Sequence, residues 1–386
     1  MALAAGGGLL AASCEPHAAS RHARGSSTHV SRGLRIGRIS LDPPLGVAPM
    51  AGMTDTAFRR LVKRHGGCGL VVTEMVSAEG LVRGIDRTLE YAEYTEEERP
   101  VAIQVFGGDP GRMAEAARVV EGMGADAVDV NMGCPVPKIA KHQAGCALMR
   151  EPEHAARIVE AMAAAVRIPV TVKMRAGWND AQVNAPDLAR RVEAAGAAAV
   201  TVHGRTAAQS YSGAADWALV ERVARSVSIP VLGSGDIVEP AQAQARLAGA
   251  VSGVLIGRGV LRNPWILAQA ADLARGEPAR PVTPAMRGRF LLDYIELLLL
   301  DRDQERAGFR HAAPTRDGGV AAAQPARGRE RWVINKIRAL NAWYSKGLEG
   351  GSRLRVAINE AESIQQLRDI IAGFFFEASA SARRGG

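Results

Sequence analysis

Ala127-Val128-Asp129-Val130-Asn131-Met132-Gly133-Cys134-Pro135-Val136-Pro137-Lys138 is the stretch on which the reading of this chain turns. A mostly apolar run over Ala127–Val130 breaks off into a polar loop. One thiol stands there between Gly133 and Pro135, with Lys138 four residues on. A strand that ends in a shaped loop is where α/β enzymes place reacting groups. A thiol fixed at such a point can serve as nucleophile, metal ligand or proton donor.

Similar apolar runs recur on both sides of it, at Val47–Met50, Leu70–Glu74, Val101–Phe106, Ala127–Asn131, Val170–Arg175, Ala199–His203, Val231–Ser234 and Gly253–Ile256. Helical patterns lie between most of them: Thr56–His65, Pro110–Met123, Pro152–Val166, Pro186–Ala195, Trp217–Ser226 and Pro240–Ala248. Several open on Asp-Pro or Glu-Pro, where proline suits the first helical turn. Eight β-α units within about 230 residues predict a (β/α)8 TIM barrel of the α/β class. A doubly wound open sheet is the alternative, but no GxGxxG follows the first strand. The barrel is expected over residues 34–279.

A small all-helical C-terminal domain is expected over 280–386. It has helices at 281–300 and 330–346 and a helical tail beyond Leu354 to about Phe376. Val333, Ile337, Leu340 and Tyr344 make an apolar face in the second of these. Residues 303–328 lack periodicity and read as a flexible insertion. Residues 1–33, rich in Ala, Gly, Ser, His and Arg, read as a disordered or processed extension.

The chain has 386 residues, 47% of them hydrophobic, which is enough for a sizeable core. No apolar run approaches the roughly 18 residues of a membrane span. Cys14, Cys68, Cys134 and Cys146 include no CxxC pair, so neither zinc nor an iron–sulfur cluster is suggested. The expectation is a soluble cytoplasmic protein without metal, monomeric, in a reducing compartment. The net charge of +8 is uneven. Residues 1–40 hold five Arg against one Glu, and 281–386 hold 17 basic against 12 acidic side chains, so the central region is near neutral. That pattern suits an accessory surface for a polyanion, although an Arg-rich composition alone accounts for it equally well.

Barrel chemistry sits at the C-terminal ends of strands. Those ends hold Ala48-Pro49-Met50-Ala51, Glu74, Gln104, Asn131 with Cys134, Lys173 with Arg175, His203-Gly204-Arg205, Ser234-Gly235-Asp236 and Gly257-Arg258. Two glycine turns after the seventh and eighth strands form the usual barrel phosphate site, with Arg258 as fixed charge. Lys173 at the mouth suits negative charge developing on a reduced flavin, and Gln104 offers both donor and acceptor to a pyrimidine-like edge. The competing reading of Lys173 is a strand-end salt bridge with Glu74 or Asp129. His203 contacts phosphate, ring or substrate, or only orders the mouth.

The chain resembles the tRNA-dihydrouridine synthases, bacterial B-type group, through Ala48–Asp55, Gln104–Pro110, Asn131–Pro135, Lys173–Trp178, Val202–Thr206 and Ile256–Arg258. The resemblance covers roughly 34–279, with a weaker match over 332–348. It implies an FMN-binding barrel followed by a helical domain that binds tRNA, and reduction of a uridine to 5,6-dihydrouridine with NADPH as electron donor. Carried over by motif, Pro49, Met50 and Ala51 line the flavin and Gln104 and Lys173 hold its ring, with His203 nearby. Ser234, Gly235, Asp236, Gly257 and Arg258 hold its ribityl phosphate end.

Cys134 becomes the catalytic residue. A thiol of pKa ~8.5 is mostly protonated at neutral pH, which suits proton donation to C5 after hydride reaches C6. Asn131, Lys138, Arg175 and Arg205, with Arg331, Lys336 and Arg338 of the helical domain, are expected at the tRNA, where Trp332, Trp343, Tyr344 and Lys346 supply stacking and charge unless the aromatics are core. Two departures from the family pattern are Ser234 in place of Asn and Pro137 in place of a basic residue. The rivals are an FMN dehydrogenase for a free small molecule, which needs no basic helical domain, and a non-catalytic RNA-binding barrel, which needs no Cys134, Lys173 or His203.

Overall fold

The computed structural model describes residues 33–140, 143–300, 309–310 and 326–377. The expectation for the N-terminal extension, and most of that for the 303–328 insertion, lies outside the described residues. Of its described parts, Phe309–Arg310 pairs antiparallel with Tyr94–Thr95, and residues 326–328 already belong to the helix Ala326–Tyr344, which starts earlier than expected.

In chain order the strands are β1 (Leu34–Ile36), β2 (Ile39–Leu41), β3 (Leu45–Val47), β4 (Leu70–Val72), β5 (Val76–Ser77), β6 (Tyr94–Thr95), β7 (Val101–Phe106), β8 (Ala127–Met132), β9 (Val170–Arg175), β10 (Ala199–His203), β11 (Val231–Ser234) and β12 (Gly253–Ile256). The parallel strands β3, β4 and β7 to β12 close on themselves, because β12 pairs with β3 and β4 with β7. The result is the predicted eight-stranded TIM barrel. Helices lie between strands; Pro110–Gly122 starts where Asp109 Oδ1 accepts from Arg112 N at 2.7 Å, as its Asp-Pro opening requires.

The first barrel strand ends earlier than expected. Pro49 has no N–H to give the ladder, and Met50 N instead donates to Thr54 Oγ1 at 3.0 Å. Ala48-Pro49-Met50 therefore become a turn over the barrel mouth. An unexpected element is the β1–β2 hairpin. Its Leu34, Ile36, Ile39 and Leu41 are buried with Leu70, Val72, Ala102, Ala127, Ala199, Leu232 and Leu255, and together they stopper the N-terminal end of the barrel.

Strand side chains alternate, so every second residue faces the barrel axis. Along β7, β8 and β9 the inward series runs Ala102-Gln104, Ala127-Asp129-Asn131 and Thr171-Lys173-Arg175. The outward partners Ile103, Val105, Val128, Val130, Val172 and Met174 are fully buried under the helices. The barrel axis is thus apolar at one end and polar at the other, and the polar end is the mouth.

After the barrel strands and their helices, the last of them Arg258–Arg262 and Ile266–Ala274, the C-terminal region holds the helices Pro284–Leu299, Ala326–Tyr344, Gly351–Glu360 and Ile364–Ala372 and a final helical turn Gly373–Glu377. They share one core with the barrel. Phe58, on the first barrel helix, meets Phe290 and Tyr294 edge-on at 6.0 and 6.2 Å, and Phe290 stacks on Tyr344 at 5.6 Å. Val333, Ile337, Leu340 and Tyr344 are all buried, as their spacing predicts.

This packing revises several residues expected at tRNA. Tyr344 is fully buried, and its hydroxyl donates to Arg287 O at 2.9 Å. Arg338 Nη2 donates to Ala361 O at 2.9 Å, capping the neighbouring helix. Lys336 turns inward: its side chain is only 13% exposed. Its Nζ donates to Gly52 O at 3.0 Å, lies 2.9 Å from Asp55 Oδ2 and 3.7 Å from Glu74 Oε1. Asp55 also accepts from Tyr294 at 2.7 Å and caps the first barrel helix through Phe58 N at 3.0 Å. Of the helical-region cations expected at tRNA, Arg331 and Lys346 remain exposed.

Burial alone would lower the Lys336 pKa, but the Asp55 and Glu74 carboxylates outweigh it and hold it above the ordinary lysine value. Lys336→Met leaves both carboxylates without their cation and should cost about 3 kcal/mol. Denaturant midpoints check this, and Glu74→Gln in the same chain should recover part of the loss.

Candidate active site

Gln104, Asp129 and Asn131 form a connected line across the polar end of the barrel. Gln104 Nε2 donates to Asp129 Oδ2 at 2.7 Å, and Gln104 Oε1 accepts from Asn131 Nδ2 at 2.7 Å. Asn131 Oδ1 in turn accepts from Cys134 N at 2.9 Å and Gly133 N at 3.2 Å. The last residue but one of β8 therefore shapes the loop that carries the thiol. Arg175 holds the same loop from β9, with Nε donating to Gly133 O at 2.8 Å.

Cys134 is half-buried. Burial raises its pKa above the ordinary thiol value, against weaker opposing effects of the Val136 backbone and Arg175. At neutral pH the group is a thiol, not a thiolate. Lys138 is exposed on the short helix Pro137–Ala140 that follows.

Lys173 lies opposite Asn131 in the β8–β9 register. Burial, then the Arg175 charge, push its pKa down to about 8, while Asp129 pulls the other way. The expected alternative, a strand-end salt bridge, is not formed. Asp129 spends its oxygens on Gln104 and on Thr171 Oγ1 at 2.6 Å, and Glu74 faces Gly52 N and Lys336. Lys173 is thus a cation at the mouth that feels the Asp129 charge but makes a direct ion pair with neither carboxylate.

Arg175 and Arg205 were both expected at tRNA. Both are buried instead, at 3% and 2% exposure. Arg175 Nη1 donates to Thr206 O and Ser210 O at 3.0 and 2.8 Å. Arg205 donates to Ser212 O, Gly213 O and the Asp236 carboxylate. These arginines build the loop after β10.

Arg205 Nη1 lies 3.2 Å from His203 Nε2. A guanidinium only donates, so Nε2 accepts and the proton of a neutral imidazole sits on Nδ1. Burial, followed by Lys173, Arg175, Arg205 and Arg258, lowers the His203 pKa to about 2.

After β11 and β12 the two glycine turns come together. A Cβ on Gly235 (φ +123°) would lie 2.7 Å from Ala215 Cβ and 3.1 Å from His203 Cδ2, so only glycine fits. A Cβ on Gly257 would touch Met50 Sδ at 3.5 Å, which places the Pro49-Met50-Ala51 turn beside it. Among the described residues the backbone N–H groups of Gly235, Asp236, Gly257 and Arg258 make no backbone hydrogen bond. Arg258 stands over them, with Nη2 3.2 Å from Asp236 Oδ1. Burial would raise the Asp236 pKa, but Ala215 N–H, Arg205 and Arg258 outweigh it and keep it a carboxylate. Asp236 thus orients two arginines. Ser234 is buried at the end of β11, and its carbonyl accepts from Gly204 N at 3.3 Å.

These features fit a flavin nucleotide. Free N–H groups and an oriented guanidinium suit its phosphate, and a half-buried lysine without a direct ion pair suits the anionic edge of its reduced ring. Among the described residues no cluster of metal-ligating side chains occurs, and no helix is long and apolar enough to cross a membrane. Reading the sequence missed Glu74 and Asp55 as partners of Lys336, and it missed Tyr211 in the loop after β10. Asp55, inside the matching motif Ala48–Asp55, was the one with a signal.

Compared with known proteins, residues 46–316 match the family described as Dihydrouridine synthase (Dus). A probable tRNA-dihydrouridine synthase of Rhodobacter capsulatus is 45% identical over 253 residues, covering 64% of this chain and 78% of the relative. One of Rickettsia prowazekii is 43% identical over 344 residues, covering 89% and 97%. The tRNA-dihydrouridine synthase B of Xanthomonas axonopodis pv. citri is 36% identical over 332 residues, covering 86% and 92%.

His203 carries a stability signature. An unfolded histidine titrates near 6.5, whereas the folded one stays neutral down to about 2. The unfolded chain therefore binds the extra proton in that window, and stability present above pH 6.5 is lost as pH falls below it. His203→Gln should flatten the fall in melting temperature between pH 6.5 and pH 4.5 relative to wild type.

Proposed function

The chain belongs to the dihydrouridine synthase family, and from that premise we propose that it reduces a uridine of tRNA to 5,6-dihydrouridine on FMN, with NADPH as electron donor and Cys134 as proton donor. The observation that carries the proposal is the mouth itself, where a protonated thiol on a loop pinned by Asn131 and Arg175 shares the polar end of the barrel with Lys173.

In this reading Lys173 and the remaining donor of Gln104 hold the flavin ring, and the Pro49-Met50-Ala51 turn lines it. The N–H groups of Gly235, Asp236, Gly257 and Arg258, with the Arg258 guanidinium, hold its phosphate. Ser234 closes the turn through its backbone, so the missing Asn side chain costs one hydrogen bond at most. His203 stays neutral and orders the mouth through Arg205. The chemistry supplied by bound FMN is hydride relay from NADPH to C6 of the uracil ring.

The target uridine must leave its stack to reach the mouth. Cys134 then gives its proton to C5, and the resulting thiolate regains one from solvent. A raised pKa serves this role, since the acid is fully loaded at neutral pH. Asn131 and Arg175 are positioning residues, acting through the backbone of the Cys134 loop. Lys138, Arg331 and Lys346, all exposed, are the cations of the proposed set that face outward to phosphate.

Purified Cys134→Ala should keep its flavin and its NADPH oxidation, while dihydrouridine formation on tRNA falls by about 10²-fold or more. Unimpaired tRNA reduction by that variant would sink the assignment. In the wild type single-turnover uridine reduction should hold to about pH 8, where Lys173 begins to lose its charge, and the Cys134 limb should lie above the ordinary thiol value of ~8.5; a limb below pH 7 would rule the thiol out as the acid.

A further inference from the structure

Tyr211 is the most exposed of the large apolar side chains among the described residues, at 58%. It stands on the loop after β10, at the rim of the mouth, with its ring centroid 6.5 Å from that of His203. The turn that carries it is built to hold it there. Ser210, the residue before it, has φ +50°, a conformation side chains rarely adopt. Arg175 donates to Ser210 O at 2.8 Å and Arg205 to Ser212 O at 3.1 Å, so the two buried arginines grip the chain on either side of the tyrosine. Thr206 N and Gln209 Oε1 lock the start of the turn at 2.8 Å.

The ring is also backed by charge. The Arg258 guanidinium lies 4.9 Å and the Arg175 guanidinium 5.6 Å from its centroid. Arg258 continues outward to Trp343 at 6.0 Å, and Lys346 lies 3.9 Å over Trp343. Aromatic faces and cations therefore alternate from the barrel rim to the helical region. A strained turn held by two buried arginines is more support than an exposed ring needs for packing. Fixed aromatic faces flanked by cations are what single-stranded nucleic acid requires, because every base has a π-face and every linkage a phosphate.

We propose that Tyr211 is a stacking platform for an unpaired nucleotide of the RNA substrate adjacent to the target uridine, with Lys346 at the outer end of the track as a phosphate contact. This rests on the tRNA reading above. Stacking on Tyr211 holds the strand open while the next base enters the mouth, so Arg175 and Arg205 serve RNA recognition through the turn rather than by touching RNA.

The test is equilibrium tRNA binding by the flavin-loaded full chain as a function of salt. Tyr211→Ala should weaken binding by about tenfold, the scale of one lost base–aromatic stack. Its melting temperature, flavin absorbance and salt slope should stay at wild-type values, and Tyr211→Phe should bind normally. Lys346→Ala should reduce the salt slope by about one. Wild-type affinity in Tyr211→Ala, loss of flavin from it, or an equal defect in Tyr211→Phe would each overturn the proposal. If the wild-type protein itself neither binds tRNA nor forms dihydrouridine, the functional reading fails and this inference fails with it.

Discussion

The architecture depends on one buried cation. Lys336 leaves the helical region and ends between Gly52 O, Asp55 and Glu74, three groups on the first two β-α loops of the barrel. Burying an ammonium costs several kcal/mol unless its charge is answered, and here Gly52 O and the Asp55 carboxylate take its donors while Glu74, 3.7 Å away, adds a second counter-charge. Glu74 is also tied to Gly52 N at 2.5 Å, so the same contacts fix the turn that follows Pro49-Met50-Ala51. The C-terminal helices are consequently a wall of the barrel mouth. The aromatic seam from Phe58 through Phe290 to Tyr344 supplies apolar burial, and the Lys336 contact supplies register.

The mouth is defined by a charge imbalance. Burial, and then the charges of Lys173, Arg175, Arg205 and Arg258, leave His203 neutral. Asp236 answers two of these cations, and Asp129 is occupied by Gln104 and Thr171. Such surplus positive charge at the polar end of a barrel suits an anion, as the proposed flavin phosphate and reduced ring would supply. The thiol fits the same logic from the other side: its burial favours the neutral form, as an acid rather than a nucleophile requires.

Much of this was legible in the amino-acid order. The strands around Cys134 could be read because both of their faces are covered, which forces continuous apolar runs such as Val101–Phe106. Helix starts could be read from Asp109-Pro110 and its kin. Cys134, Gln104, Lys173 and the two glycine turns stood at strand ends, and the structure brings them to one mouth. What could not be read was where long charged side chains end. Arg175, Arg205, Lys336 and Arg338 are surface-like in composition, yet each reaches back to backbone carbonyls or buried carboxylates, and nothing in local spacing encodes those partners. The β1–β2 hairpin was hidden for a related reason. Its strands are three residues long and interleaved with Arg35 and Arg38, so burial at the barrel floor, not periodicity, makes them strands.

The central claim is that this mouth reduces uridine in tRNA through Cys134. Its most direct test is mass spectrometry of tRNA from cells in which the gene is deleted. At least one position should change from dihydrouridine to uridine, lighter by two hydrogen atoms. The wild-type gene should restore it, and a Cys134→Ala gene should not. An unchanged dihydrouridine content in the deletion strain would contradict it.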